Sequence, residues 1–126
     1  MAQGFEPGAL LGRVYTLPSG LRVRLRLLRP TDADAVGELC ARCGADAGEL
    51  ELARLVRADP RWDVIACASA LIGSSEVMMG IAALDLRRDQ QAAALVIDPA
   101  ASGGLDELLV QAVNGRAAEL RTARAA

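Results

Sequence analysis

The chain has 126 residues, with 14 basic side chains against 16 acidic ones and a formal net charge of −2. That length fits one domain able to bury about two-thirds of its unfolded surface, and the near-balanced charge leaves no basic field to hold nucleic acid. Every cation is Arg and there is no His, which excludes an imidazole base, a Ser-His-Asp triad, a His-containing metal site and a Schiff-base lysine.

The hydrophobic fraction is 52%, yet Phe5, Tyr15 and Trp62 are the only aromatics. The core must then be built from Leu, Val, Ile and Ala. Residues 1–10 lack a basic start and a sustained apolar run, and nowhere do 18 apolar residues follow one another. A cytoplasmic location without membrane contact is expected. Three cysteines, an odd number, fit a reducing compartment better than a disulfide framework.

In chain order, Gly4, Pro7, Gly8, Gly12, Pro18 and Gly20 mark residues 1–20 as an arm with one short strand near 13–16. A single domain, residues 21–126, follows. Over 21–28, Val23, Leu25 and Leu27 alternate with Arg22, Arg24 and Arg26, the pattern of a half-buried strand. Thr31 is placed to cap a helix, with Asp32 and Asp34 complementing its dipole, and Gly44 stops it. A second helix is expected over 46–58, ended by Asp59-Pro60. Residues 63–72 read as a strand and 76–86 as its antiparallel partner, turning at Gly73-Ser74-Ser75. A further strand is expected over 91–97, then a helix over 102–123 that Asn114-Gly115 weakens in the middle.

Four groups of residues carry chemistry. Residues 94–109 run as strand, Asp-Pro turn, Gly103-Gly104 loop and helix start, so unpaired backbone N–H groups and a positive dipole end would favour phosphate. Asp106 and Glu107 sit in that first turn and would repel it. Cys40 and Cys43 form a C-x-x-C that reads as packed thiols, a redox pair or half of a zinc site; its place at a helix C-terminus is the wrong end for redox chemistry. The stripe of Arg22, Arg24 and Arg26, with Arg29 beyond it, reads as a solvated face or an anion site. Glu76, Asp85 and Asp98 bound strands and are candidate bases, though spacing singles out none; Met78-Met79 reads as core.

The element order, together with residues 23–35, the hairpin running from Ala70-Leu71-Ile72-Gly73 to Gly80-Ile81-Ala82-Ala83-Leu84, and Val96-Ile97-Asp98-Pro99, resembles the first two-thirds of the GNAT (Gcn5-related N-acetyltransferase) fold. The resemblance implies an α+β fold: a mixed, mostly antiparallel sheet flanked by helices, lacking the C-terminal strands of the full family fold. It implies acetyl-CoA or CoA as cofactor, no metal, and binding by Val96, Ile97, Gly103, Gly104 and Leu105. The family loop reads Gln/Arg-x-x-Gly-x-Gly/Ala. Here Ala101 stands in the first position, Gly104 keeps the central glycine, and Asp106 replaces the final small residue. That change sets a side chain and a negative charge where backbone must approach a dianion.

The family's further strands and its thiolate-protonating tyrosine would follow Ala126, and Tyr15 does not take that role by position. The expected function is therefore an acetyltransferase-related domain that is weakly active or inactive in moving an acyl group from acyl-CoA to an amine. The alternative is a non-catalytic binding, regulatory or dimerisation module of the same fold. If the strand over 94–97 pairs on one side only, a second copy is expected to cover its free edge, giving a homodimer.

Overall fold

A computed structural model describes residues 10–44, 59–88, 91–101 and 103–125. Within these residues the chain is α+β, with one five-stranded sheet in sequence order and a helix on each face. The strands are β1 (Val14–Thr16), β2 (Arg22–Leu27), β3 (Asp63–Ile72), β4 (Ser75–Asp85) and β5 (Ala93–Ile97). Every neighbouring pair is antiparallel. The expected helix over 46–58 lies outside the described residues.

Alternation sets which face each strand residue meets. Val23 and Leu25 of β2 are fully buried, and so are Ala66, Ala68 and Ala70 of β3. Together they form one floor, on which lies helix α2 (Leu105–Ala125). Ile65 and Cys67 point to the opposite floor, covered by helix α1 (Ala33–Cys43) through Val36, Leu39 and Cys40. The segment read as an arm supplies β1 and two buried leucines, Leu10 and Leu17, to the α2-side core.

Small residues let α2 lie close to the sheet. A Cβ on Gly80 of β4 would stand 2.9 Å from Ile97 Cδ1, 3.0 Å from Leu109 Cδ1 and 3.2 Å from Leu105 Cδ2. Gly80 is thus a seat for three aliphatic side chains, and it explains how a core so poor in aromatics fills its volume. The helix runs unbroken through Asn114-Gly115, contrary to the expected weak point. Packing on the sheet outweighs glycine's propensity cost of about 1 kcal/mol, and Asn114 Oδ1 accepts the Ala92 N–H at 3.3 Å.

Caps and turns follow local chemistry with one reassignment. Gly44 closes α1 in the left-handed region (φ 69°), and Gly73 opens the two-residue β3–β4 loop at φ 63°. The cap of α1 is Asp32, not Thr31, and a 3-10 turn over Pro30–Asp32 precedes it. The Asp32 carboxylate serves that preceding turn and not α1: it accepts the Arg29 N–H at 2.6 Å and both terminal nitrogens of Arg26 at 2.7 and 2.8 Å.

Two bulges interrupt the ladder. Between the pairs Ala68↔Gly80 and Ser69↔Met78, Met79 is the extra residue on β4. Between Ile81↔Val96 and Ala82↔Ala94, Leu95 is the extra residue on β5. Met79 is buried, whereas Leu95 is 40% exposed on the outermost strand. Such a residue is left without a ladder partner and bends its strand.

Candidate functional site

The turn from β5 into α2 is built by Asp98 and two glycines. The Asp98 N–H donates to the Met79 carbonyl at 2.8 Å, its Oδ1 accepts the Ala100 N–H at 2.9 Å, and its Oδ2 accepts Arg42 Nε at 3.2 Å. A 3-10 turn over Pro99–Ala101 follows, closed by the Ala101 N–H on the Asp98 carbonyl at 2.8 Å. Gly103 (φ 92°) and Gly104 (φ 136°) then hold conformations that side chains of L residues rarely adopt. Gly104 also approaches the β1–β2 loop, since a Cβ there would lie 3.4 Å from Pro18 Cδ.

Gly104 is the residue from which α2 starts, its carbonyl accepting the Leu108 N–H at 3.1 Å. By α-helix geometry the N–H groups of residues 105–107 have no intrahelical acceptor, so the positive end of a 21-residue helix points out of this turn. Asp106 and Glu107 occupy the first turn, both exposed. They complement the dipole and, for the same reason, compete with any anion that would use it.

Of the five residues expected to meet a cofactor, one is exposed. Gly103 is exposed with open space on its Cβ side, and Gly104 is half-buried. Val96 is buried under α1, and Leu105 is fully buried against Gly80. Ile97 is half-buried, with its carbonyl 4.0 Å from Cys43 Sγ. Val96, Ile97 and Leu105 can therefore serve a ligand through backbone groups only.

The candidate bases do not converge. Glu76 and Asp85 lie nine positions apart along β4, on the order of 30 Å. Each is held by arginine: Glu76 by Arg24 at 3.2 Å, Asp85 by Arg87 at 2.8 Å, and Asp98 by Arg42 as above. The hydrogen bond from Arg87 keeps the Asp85 carboxyl below the usual carboxylate range. Tyr15 donates its hydroxyl to the Leu10 carbonyl at 3.0 Å, and burial raises its pKa. No two of these carboxylates share a site, and the Tyr15 hydroxyl is turned to the Leu10 carbonyl, away from all three.

The cysteines are packed thiols. Cys40 and Cys67 are buried in the α1-side core with Cys43 against it, and all three are free. Burial pushes each thiol up, that of Cys67 to about 11, which opposes formation of the nucleophilic thiolate. Among the described residues no group of three or more His, Cys, Asp or Glu gathers to hold a metal. The arginine stripe is not uniformly solvated. Arg24 pairs with Glu76 and Arg26 is locked on Asp32, while Arg22 and Arg29 are exposed. No described helix is long and apolar enough to cross a membrane.

Sequence reading missed a second feature, a cleft of about 230 Å³ at the far end of the sheet. Leu27, Leu28, Arg29 and Pro30 line it from one side and Pro60, Asp63, Val64 and Ile65 from another, with Arg116 and Leu120 of α2 above. Its walls come from three separate stretches of chain, so no local spacing announces it. Comparison with protein-family models, with curated proteins and with solved structures gives no match.

Proposed function

We infer that this chain is a GNAT-like, acetyltransferase-related domain whose acyl transfer from acyl-CoA to an amine is weak or lost. It works in the cytoplasm as a binding module that pairs with a second copy. The order of strand, helix, antiparallel pair, bulged strand, glycine turn and helix supports the relationship. The observation that carries the loss of chemistry is the state of its proton-transfer groups: Tyr15 is tied to the Leu10 carbonyl, and Glu76, Asp85 and Asp98 are each paired with arginine. General acid–base help is worth about 10²- to 10⁴-fold in rate, so its absence alone moves an ordinary transferase into the range of slow side reactions.

The cofactor face fits the same reading. A CoA pyrophosphate would rest on the N–H groups at the start of α2, beside Gly103 and Gly104, and would meet Asp106 and Glu107 there. A like-charge pair 4 Å apart costs about 4 kcal/mol at the dielectric of a protein surface, more than the roughly 2 kcal/mol that a helix terminus supplies to an anion at best. CoA or acetyl-CoA is accordingly a weak ligand. Free thiol released from acetyl-CoA in the presence of a panel of primary amines tests the enzymatic part: release at the uncatalysed rate is expected. Turnover at 1 s⁻¹ or faster, the ordinary enzymatic range of roughly 1–10³ s⁻¹, contradicts it.

A further inference from the structure

We propose that the cleft between β2, β3 and the second half of α2 is a binding site for a small amphiphilic anion, a short-chain aliphatic carboxylate. The site is separate from the glycine turn. Arg116 and Leu120 lie 12 and 16 residues along α2 from Gly104, roughly 20 Å at helical rise. The cleft therefore stands or falls independently of CoA binding.

Shape sets the ligand's size and its tail. A volume of about 230 Å³ holds about eight water-sized groups. Leu28, Pro30, Val64 and Leu120 supply apolar walls. The floor is fixed where the Leu28 N–H donates to the Ile65 carbonyl at 2.9 Å. Leu27, 39% exposed, stands at the mouth. An aliphatic chain of five or six carbons plus a two-oxygen head matches this space.

Charge sets the head. Three ionic side chains line the cleft: Arg29, Asp63 and Arg116. Asp63 is already satisfied, Oδ1 accepting Arg87 at 2.8 Å and Oδ2 the Asp59 N–H at 3.1 Å. Arg29 has no ion pair among the described residues, and the carboxylate nearest Arg116 is Glu119, a loose 4.0 Å away. Two arginines thus line a largely apolar slot, and a shallower depression lined by both of them and by Glu119 opens beside it. Guanidinium forks match carboxylate geometry. An ammonium head would meet like charge, and an alcohol would leave the arginines unanswered.

The test is an NMR titration of the whole chain with hexanoate (eight non-hydrogen atoms), with acetate, 1-hexanol and hexylamine run alongside. Saturable shifts centred on Leu28, Ile65 and Leu120 are expected with hexanoate, and binding at least tenfold weaker for the other three. Arg29→Gln, on an exposed side chain, and Arg116→Gln, on a half-buried one, should each weaken hexanoate about five- to tenfold, and Leu120→Trp, at a half-buried position of α2 lining the cleft, should block it. Equal response to hexylamine, acetate as strong as hexanoate, or unchanged affinity in the Arg29→Gln/Arg116→Gln double variant would each overturn the assignment.

Discussion

Asp32 receives three charge-assisted hydrogen bonds, two from the Arg26 guanidinium and one from the Arg29 N–H, while only 9% of its side chain is exposed. The pair ties the end of β2 to the start of α1, which positions that helix over the sheet. Removing one partner of such a pair leaves the other poorly solvated. Asp32→Asn should therefore lose about 1–3 kcal/mol of unfolding free energy at pH 7 in a denaturant titration. Hydrogen bonds from Arg26, and then from Arg29, hold the Asp32 carboxyl below its ordinary value of 3.8. A depressed folded-state pKa stabilises the fold above the unfolded value and is lost as pH falls through the folded one. The gap between wild type and Asp32→Asn should then be full at pH 7 and shrink below about pH 4; a gap unchanged at pH 2.5 would contradict this.

The residue scale is also where sequence reading was weakest. Asp32 was legible as an acid near a helix start, because helix dipoles act over a single turn. Its partner, six residues back on a strand, was not, because nothing in an alternating Arg stripe says which guanidinium turns inward. Arg29 and Arg116 became neighbours only through the return of α2 across the sheet.

At the scale of elements, Gly80 sets how closely α2 approaches. Gly80→Val would drive a branched side chain into Ile97, Leu105 and Leu109, which are packed within 2.9–3.2 Å of the Cβ position. All three are end methyls of buried or half-buried side chains with little room to withdraw, so overpacking should cost about 1–3 kcal/mol. A thermal melt checks it, and an unchanged or raised midpoint would show that α2 can shift outward freely. The elements themselves were largely readable in advance. β3 occupies 63–72 as expected, and β2 and β4 lie within one residue of expectation, because a period-two pattern bounded by Gly or Pro is a local signal. The bulges at Met79 and Leu95 were not readable, since an extra residue shows only when two strands are laid side by side.

At the scale of the whole molecule, the sheet leaves β5 without a strand partner on its outer side among the described residues, with Ala93, Ala94 and Leu95 exposed. Short as it is, an uncharged strand edge is a template for pairing, and natural proteins usually protect such edges with charge, proline or cover. Pairing with a second copy about a two-fold axis would satisfy it. Sedimentation at micromolar concentration should show a dimer, and Leu95→Lys should shift it to monomer while leaving the melting profile cooperative. A wild-type monomer at 50 μM would remove this part of the proposal and leave the turn's chemistry untouched.

That chemistry rests on two carboxylates in the first turn of α2. Asp106→Asn/Glu107→Gln removes both charges, at a cost to helix stability of about 0.3–1 kcal/mol each through the dipole, and leaves the N–H groups after Gly104 with no competing negative charge in that turn. Calorimetric titration with acetyl-CoA, on the wild-type chain and on this double variant, is the direct test. Wild-type binding no tighter than millimolar is predicted, strengthening tenfold or more in the variant. Micromolar binding by the wild type, or no gain once the charges are gone, would contradict it.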